Sequence, residues 1–307
     1  MSFVSYAQNF EDVLLWRALG HIKNGFYIDV GACDPVALSV TKAFYDAGWN
    51  GINIEPQDAF HQAFLAERPR DVNLACAVGA REGSATLFSV PACSGLASVD
   101  PSVASARRAE GREVIESTVP VRTLAQVCSD HVRCDIHFLK IDVEGFEGEV
   151  LLGMDFTRWR PWVLEIEATI PNGRTANYEA WEALVTGARY QFAWFDGLNR
   201  YYVADEHKEL AGVLSVQPNV HDDRFITHHA AIAGARAAAA EARAQNAEAA
   251  CALAAGQQAA AEATAHQLEA RVAELEAQHH HWQQSWSLRL TAPLRALHAA
   301  LRDRIRN

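Results

Sequence analysis

The sequence predicts an α/β domain, a largely parallel sheet with helices on both faces, followed by a long C-terminal helix. Three observations carry this. Five short runs, FYIDVGA (Phe26–Ala32), GINIEP (Gly51–Pro56), VNLACAVGA (Val72–Ala80), IHFLKIDVEG (Ile136–Gly145) and WVLEIEA (Trp162–Ala168), are apolar on both faces and end in glycine, proline or an acid, as buried strands do. Helical stretches such as Ser39–Ala47 and Gln57–Glu67 lie between them, which makes the pattern one of parallel strands with crossovers. From about Ala230 the composition turns to alanine with glutamate, glutamine and arginine, all strong helix formers.

The 307 residues suit one large domain with an appendage, and half of them are hydrophobic, enough for a sizeable core. A net charge of -11 argues against general nucleic-acid binding. The six cysteines contain no Cys-x-x-Cys pair, which reads as reduced thiols rather than a disulfide framework. The start, MSFVSYAQNFEDVL, has no basic stretch before an apolar run, so no signal peptide is expected. No run reaches the ~18 apolar residues of a membrane span. The expectation is a cytoplasmic protein.

The first strand passes into a helix through Asp29, Gly31 and Ala32. At the carboxyl edge of a parallel sheet such a turn meets a ligand, and Gly31 permits close backbone approach. Cys33 stands where a phosphate-binding fingerprint has its second glycine. A pyrophosphate cradle is therefore disfavoured. A ligand with an amino group and no phosphate, such as S-adenosylmethionine, fits better. The second strand ends in Glu55, twenty-four residues after Gly31, where an acid can accept both hydroxyls of a ribose; a solvated strand end is the plainer alternative. The fourth strand delivers Asp142 to the same edge, with Glu144 and Glu147 following. Glu147 is explained by a helix N-terminus alone. Asp142 can orient the donor's amino group, act as base, or hold a divalent ion together with Glu144. The fifth strand adds Glu165 and Glu167 on one face. YQFAWF and RYYVAD around DGLN predict an antiparallel hairpin. The segment PACSGLASVDPSVASARRAEGREVIES shows no readable pattern and is expected to be a mobile lid.

These blocks, SYAQNFEDVLLWRAL, GFYIDVGACDP, SVTKAFYDAGWNGINIEP, FLKIDVEGFEGEVLLGMDF, RPWVLEIEAT and FDGLNRYYVADE, resemble the FkbM family of S-adenosylmethionine-dependent methyltransferases over about residues 2–225. The resemblance implies a class I methyltransferase (Rossmann-like) fold, seven strands with an antiparallel last one. It implies O-methylation, in several members of sugar hydroxyls. It puts Asp29, Gly31 and Ala32 on the first cofactor motif, Glu55 on the ribose acid and Asp142 on the fourth-strand motif. Gln8, Glu11 and Asp12 lie in an N-terminal block that lids the site. Ser98 lies in a segment that usually reads Leu-Ser-Thr and here reads Leu-Ala-Ser. Asp142 is the expected catalytic base, with Glu144 and Glu165 next. No metal-ligand set is assigned, although a divalent ion beside Asp142 stays open. The expected acceptor is a sugar hydroxyl of a bacterial surface glycan or glycolipid. The alternatives are a small natural product, a nicotinamide-binding domain, or a non-catalytic scaffold working through its tail.

The tail, residues 226–287, carries Leu268, Val272 and Leu275 at coiled-coil spacing, so self-association through this helix is expected. His279–His281 point apart on a helix and make a poor metal site. Residues 288–307 place Leu290, Leu294, Leu297, Leu301 and Ile305 on one stripe among Arg289, Arg295, Arg302, Arg304 and Arg306. Thr291 is expected to cap this basic amphipathic helix, with Pro293 in its first turn. Such a helix docks on a partner, packs on its own domain, or lies on an anionic membrane such as the inner face of the cytoplasmic membrane.

Overall fold

A computed structural model describes residues 3–91, 94–171, 173, 175–219, 221–222 and 225–306. Cys93 and the side chains of residues 94 and 304–306, including the predicted Ile305, Arg304 and Arg306, lie outside the described residues. The chain divides into two units, Met1–Ile232 and Ala233–Asn307.

The first unit is built on a seven-stranded sheet. Its strands are β1 (Phe26–Val30), β2 (Asn50–Ile54), β3 (Val72–Leu74), β4 (Phe138–Ile141), β5 (Val163–Glu167), β6 (Tyr190–Phe195) and β7 (Asn199–Ala204). Their spatial order is β3-β2-β1-β4-β5-β7-β6. The pairs among β1 to β5 are parallel. Strand β7 runs antiparallel to both β5 and β6, as the hairpin around DGLN predicts. Side chains alternate between the faces. On one face Ile28, Leu139 and Leu164 pack with Leu124, Val150 and Val185 of the helices that cover it. On the other, Tyr27, Phe138 and Tyr201 pack with Leu14, Leu15, Phe44 and Leu214. Residues at both ends of the first unit, Phe3–Ser5 and Phe225–Thr227, pair as parallel strands. The compact first unit extends to Ile232.

The run Val72–Ala80 is two strands, not one. Val72–Leu74 joins the main sheet, while Ala77–Val78 joins a separate three-stranded sheet with Gly83–Ser89 and Ile115–Arg122. The segment expected to be a patternless lid contains regular elements among its described residues. It contains a helix, Pro101–Ala109, whose first turn is capped by Asp100 accepting from Ser102 N, and it runs into the strand Ile115–Arg122. Asp100-Pro101 is a start signal, with a capping acid followed by proline at the first helical position.

The second unit is helical. Two helices, His228–Gln284 and Trp286–Arg306, meet around Ser285. Neither Thr291 nor Pro293 starts the second of them. Its first turn bonds to Ser285 O, and Thr291 Oγ1 donates back to Ser287 O at 2.7 Å, inside the helix. Among the described residues no helix is long and apolar enough to cross a membrane. Cys33, Cys76, Cys128, Cys134 and Cys251 are free thiols.

Gly31 sits immediately after β1 with φ +76, and a Cβ there would lie 1.8 Å from Asp142 O. The close approach that needs glycine is thus between the β1 and β4 turns. Gly48 also has positive φ (+97), but open space surrounds its missing Cβ. Gly31→Ala should therefore destabilise the chain by at least about 2 kcal/mol, through both strain and clash. Gly48→Ala should cost about 1–2 kcal/mol through strain alone. Urea unfolding of both variants compares the two; equal costs would mean that the Asp142 contact is not limiting.

Candidate active site

The register brings charge together. Cα partners run Asn73–Asn53–Asp29–Lys140–Glu165–Tyr201 across β3, β2, β1, β4, β5 and β7. Residues partnered across paired strands share a face, so this is one polar row, buried from Asn53 to Tyr201. Lys140 is its centre. Its Nζ donates to Gly31 O at 3.1 Å and lies 3.3 Å from Asp29 Oδ1 and 3.4 Å from Asp142 Oδ2. Burial works against the ammonium, but Asp29, Asp142 and Glu165 outweigh it and raise the lysine above its ordinary pKa. Asp29 is itself buried, and Thr41 Oγ1 donates to its Oδ2 at 2.9 Å.

The sequence reading missed the lysine. Its signal was present, because a cation in an otherwise apolar strand needs acidic neighbours. Which neighbours it finds depends on the register. Thr41 carried no signal.

A cleft opens at the carboxyl ends of β1, β2 and β4. Of the predicted residues, Gly31, Glu55, Ser98, Asp142 and Glu144 line it. Asp29 and Ala32 are not among its lining; both are buried. Glu55 holds the rim, its two oxygens accepting from Cys33 N at 2.9 Å and Gln57 N at 2.8 Å. Burial raises its pKa against these bonds. The Cys33 thiol lines the cleft but is pushed up to about 12, by burial and then by Glu55. It is thus no thiolate nucleophile at neutral pH. Ser98 donates to Glu144 O at 2.9 Å and exchanges both backbone bonds with Phe88, tying the second sheet to the β4 turn.

The remaining predicted residues lie elsewhere. Gln8 is exposed and lines no part of the cleft. Asp12 is fully buried and accepts from Ser5 Oγ, Tyr6 N and Ala7 N, so it anchors the N-terminal strand. Glu11 accepts from Asn9 N and Asn199 Nδ2. It faces Glu165, which burial, followed by the Glu11 charge, raises well above the carboxylate range. Glu165 is buried and does not line the cleft.

The β4 turn concentrates the remaining acids. Glu144 has φ +54, and burial, followed by the charge of Asp142, pushes it up to about 8. Glu147 accepts from Gly145 N at 2.9 Å and Val143 N at 3.3 Å, and burial still carries it to about 7. Glu147 therefore does more than favour a helix start: it closes the turn. Glu167, the last residue of β5, is raised by burial and then by Asp142, with which it is close enough to share a proton.

A parallel sheet with one antiparallel strand, and a cleft at its switch point with acids on the β2 and β4 turns, is the arrangement of ligand-binding doubly wound α/β domains. The sequence profile described as "Methyltransferase FkbM domain" matches residues 29–192, more than half of the chain. The chain belongs to the FkbM methyltransferase family. A solved structure, methyltransferase FkbM from Methylobacillus flagellatus KT, is similar at 16% identity with a TM-score of 0.37. The match covers 59% of this chain and 43% of that one, so the chain spans less than half the length of this neighbour. No curated protein matches.

The raised carboxyls fix a pH dependence. Unfolded, Glu147 loses its proton near 4.5; folded, it keeps it to about 7. The folded state binds the extra proton in between. The stability it contributes is full below about pH 4.5 and is lost as pH rises through 7. Glu144 acts with the same sign up to about 8. Unfolding free energy should thus fall between pH 5 and 8. Glu147→Gln, which keeps an acceptor for both backbone bonds, should reduce that fall by about 2–3 kcal/mol. Urea unfolding across this range measures it; an unchanged slope would mean that Glu147 titrates normally.

Proposed function

We propose that this chain is an S-adenosylmethionine-dependent O-methyltransferase of the class I arrangement, acting on a sugar hydroxyl of a surface glycan or glycolipid. The observation that carries this reading is the cleft between the β1, β2 and β4 turns. It offers Glu55 to the ribose hydroxyls and Asp142 to the donor's amino group or to the acceptor, and it has no glycine-rich phosphate cradle. The spatial order of the seven strands, with its antiparallel β7, supports the class I assignment. Belonging to a methyltransferase family supports the donor.

Transfer is an in-line displacement. The acceptor oxygen bonds the methyl carbon as the carbon–sulfur bond breaks, and that electron pair stays on sulfur, leaving a neutral thioether. The acceptor hydroxyl gives up its proton, and Asp142 is assigned to receive it, with Glu144 beside it. Positioning within ~3–3.5 Å supplies much of the acceleration. Glu165, sealed behind Lys140, is better placed to tune the polar row than to touch substrate.

Calorimetry with S-adenosylmethionine tests the donor site. Glu55→Gln should weaken binding about ten-fold. Asp142→Asn should slow transfer of a labelled methyl group into glycan extracts by about 10²–10⁴. Absence of donor binding to the unaltered chain would defeat the reading, and full turnover by Asp142→Asn would remove that residue from the chemistry.

We infer that the tail self-associates. Leu268, Val272 and Leu275 are 63%, 53% and 48% exposed on a 57-residue helix with no buried residue, and their spacing is that of a coiled-coil seam. Sedimentation should show an oligomer that Leu268→Lys with Leu275→Lys converts to a monomer. A monomeric unaltered chain would overturn this.

A further inference from the structure

Asp142 and Glu144 leave the end of β4, and Glu167 ends the neighbouring β5. Each can offer one carboxylate oxygen, and these atoms lie within 4.8 Å of one another. Three carboxylates this close repel one another unless protons or another positive charge sit among them.

The local cations are shared with partners outside the cluster. Lys140 Nζ is shared by Gly31 O, Asp29 and Asp142. Arg107, also near Glu144, pairs through Nη1 with Glu110 at 3.1 Å, and its Nε has no hydrogen-bond partner among the described residues. A separate observation points to a ligand. Glu167 is only 6% exposed, yet no hydrogen-bond partner among the described residues reaches its Oε2. Glu144 Oε2 is buried and lacks a partner in the same way. Buried carboxylate oxygens without a donor are costly, and two of them belong to residues of this cluster.

We propose that Asp142, Glu144 and Glu167 bind one divalent cation of the magnesium or manganese class beside the methyl-donor cleft. All three donors are hard carboxylate oxygens, which suit these ions over softer metals. Three protein ligands leave about three octahedral positions for water and for an acceptor hydroxyl. The cation's place is the acceptor side, since Asp142 and Glu144 line the cleft while Glu167 belongs to the next strand. A hydroxyl bound there loses its proton more readily. That proton passes to water or Asp142, and the oxygen then attacks the methyl carbon as written above. The catalytic role rests on the methyltransferase reading; the cation site itself does not.

The test uses Mn²⁺ with the full chain, without donor or acceptor, read by calorimetry and by electron paramagnetic resonance. The unaltered chain should bind one Mn²⁺ and gain thermal stability from it. Glu167→Gln and Glu144→Gln should each weaken Mn²⁺ at least about ten-fold, while Glu149→Gln, on the exposed side of the following helix, should not. Circular dichroism confirms that each variant is folded. No Mn²⁺ binding at millimolar concentration, or equal binding by the Glu167 and Glu144 variants, overturns the site. An S-adenosylmethionine titration on the same samples keeps the readings apart. Donor binding without Mn²⁺ binding defeats the cation site alone, and Mn²⁺ binding without donor binding supports the cation site and defeats the donor reading alone.

Discussion

The ammonium of Lys140 is the contact on which the rest of the site depends. It is buried in the middle of the sheet and held by Asp29, Asp142 and Gly31 O. Those partners come from the ends of β1 and β4, so one cation ties together the two turns that form the cleft. A charge in that position is tolerated only because it is paired; removing one partner of such a pair costs about 3–5 kcal/mol. The pairing also sets the distance between the turns. At that distance only a residue without a Cβ fits at 31, because Asp142 O occupies the space. Lys140 and Gly31 are thus two parts of one constraint.

Beyond the lysine the carboxyl edge carries more acids than nearby cations neutralise. Glu144, Glu147, Glu165 and Glu167 are all raised, each chiefly by burial. Such an edge stores unfavourable electrostatics that packing alone does not relieve. It is suited to a ligand that brings positive charge. A sulfonium donor with an amino group brings it to the cleft, and a divalent cation would bring it to the β4–β5 junction. The same property makes the edge a place where proton uptake, ligand binding and folding stability are linked.

Much of this was legible in the residues. Strand ends declared themselves through Gly31, Glu55 and Asp142, since buried apolar runs that stop at an acid or glycine are unusual. The DGLN hairpin followed from alternation around a turn. Other features were opaque for identifiable reasons. The break within VNLACAVGA leaves no trace in hydropathy, because both halves are strands with apolar residues, the first partly buried and the second buried, in different sheets. Asp12 and Glu11 look equally available for chemistry in a line of sequence, yet one is consumed by three bonds to the N-terminal strand. Thr291 and Pro293 carry a genuine helix-start signal, overridden because the chain already turns at Ser285.

By itself the sequence determined the layer architecture, the turn residues that face the cleft, the family and the exposed helical tail. These are local properties of periodicity, turn chemistry and charge. Tertiary structure decided which acids meet. Register aligns Asp29, Lys140 and Glu165 in one row. The crossing of β4 and β5 ends brings Glu167 to Asp142 and Glu144. The reason is physical: a carboxylate's role depends on what lies within a few ångströms of it, and for residues far apart in the chain that distance is set only when the strands are paired.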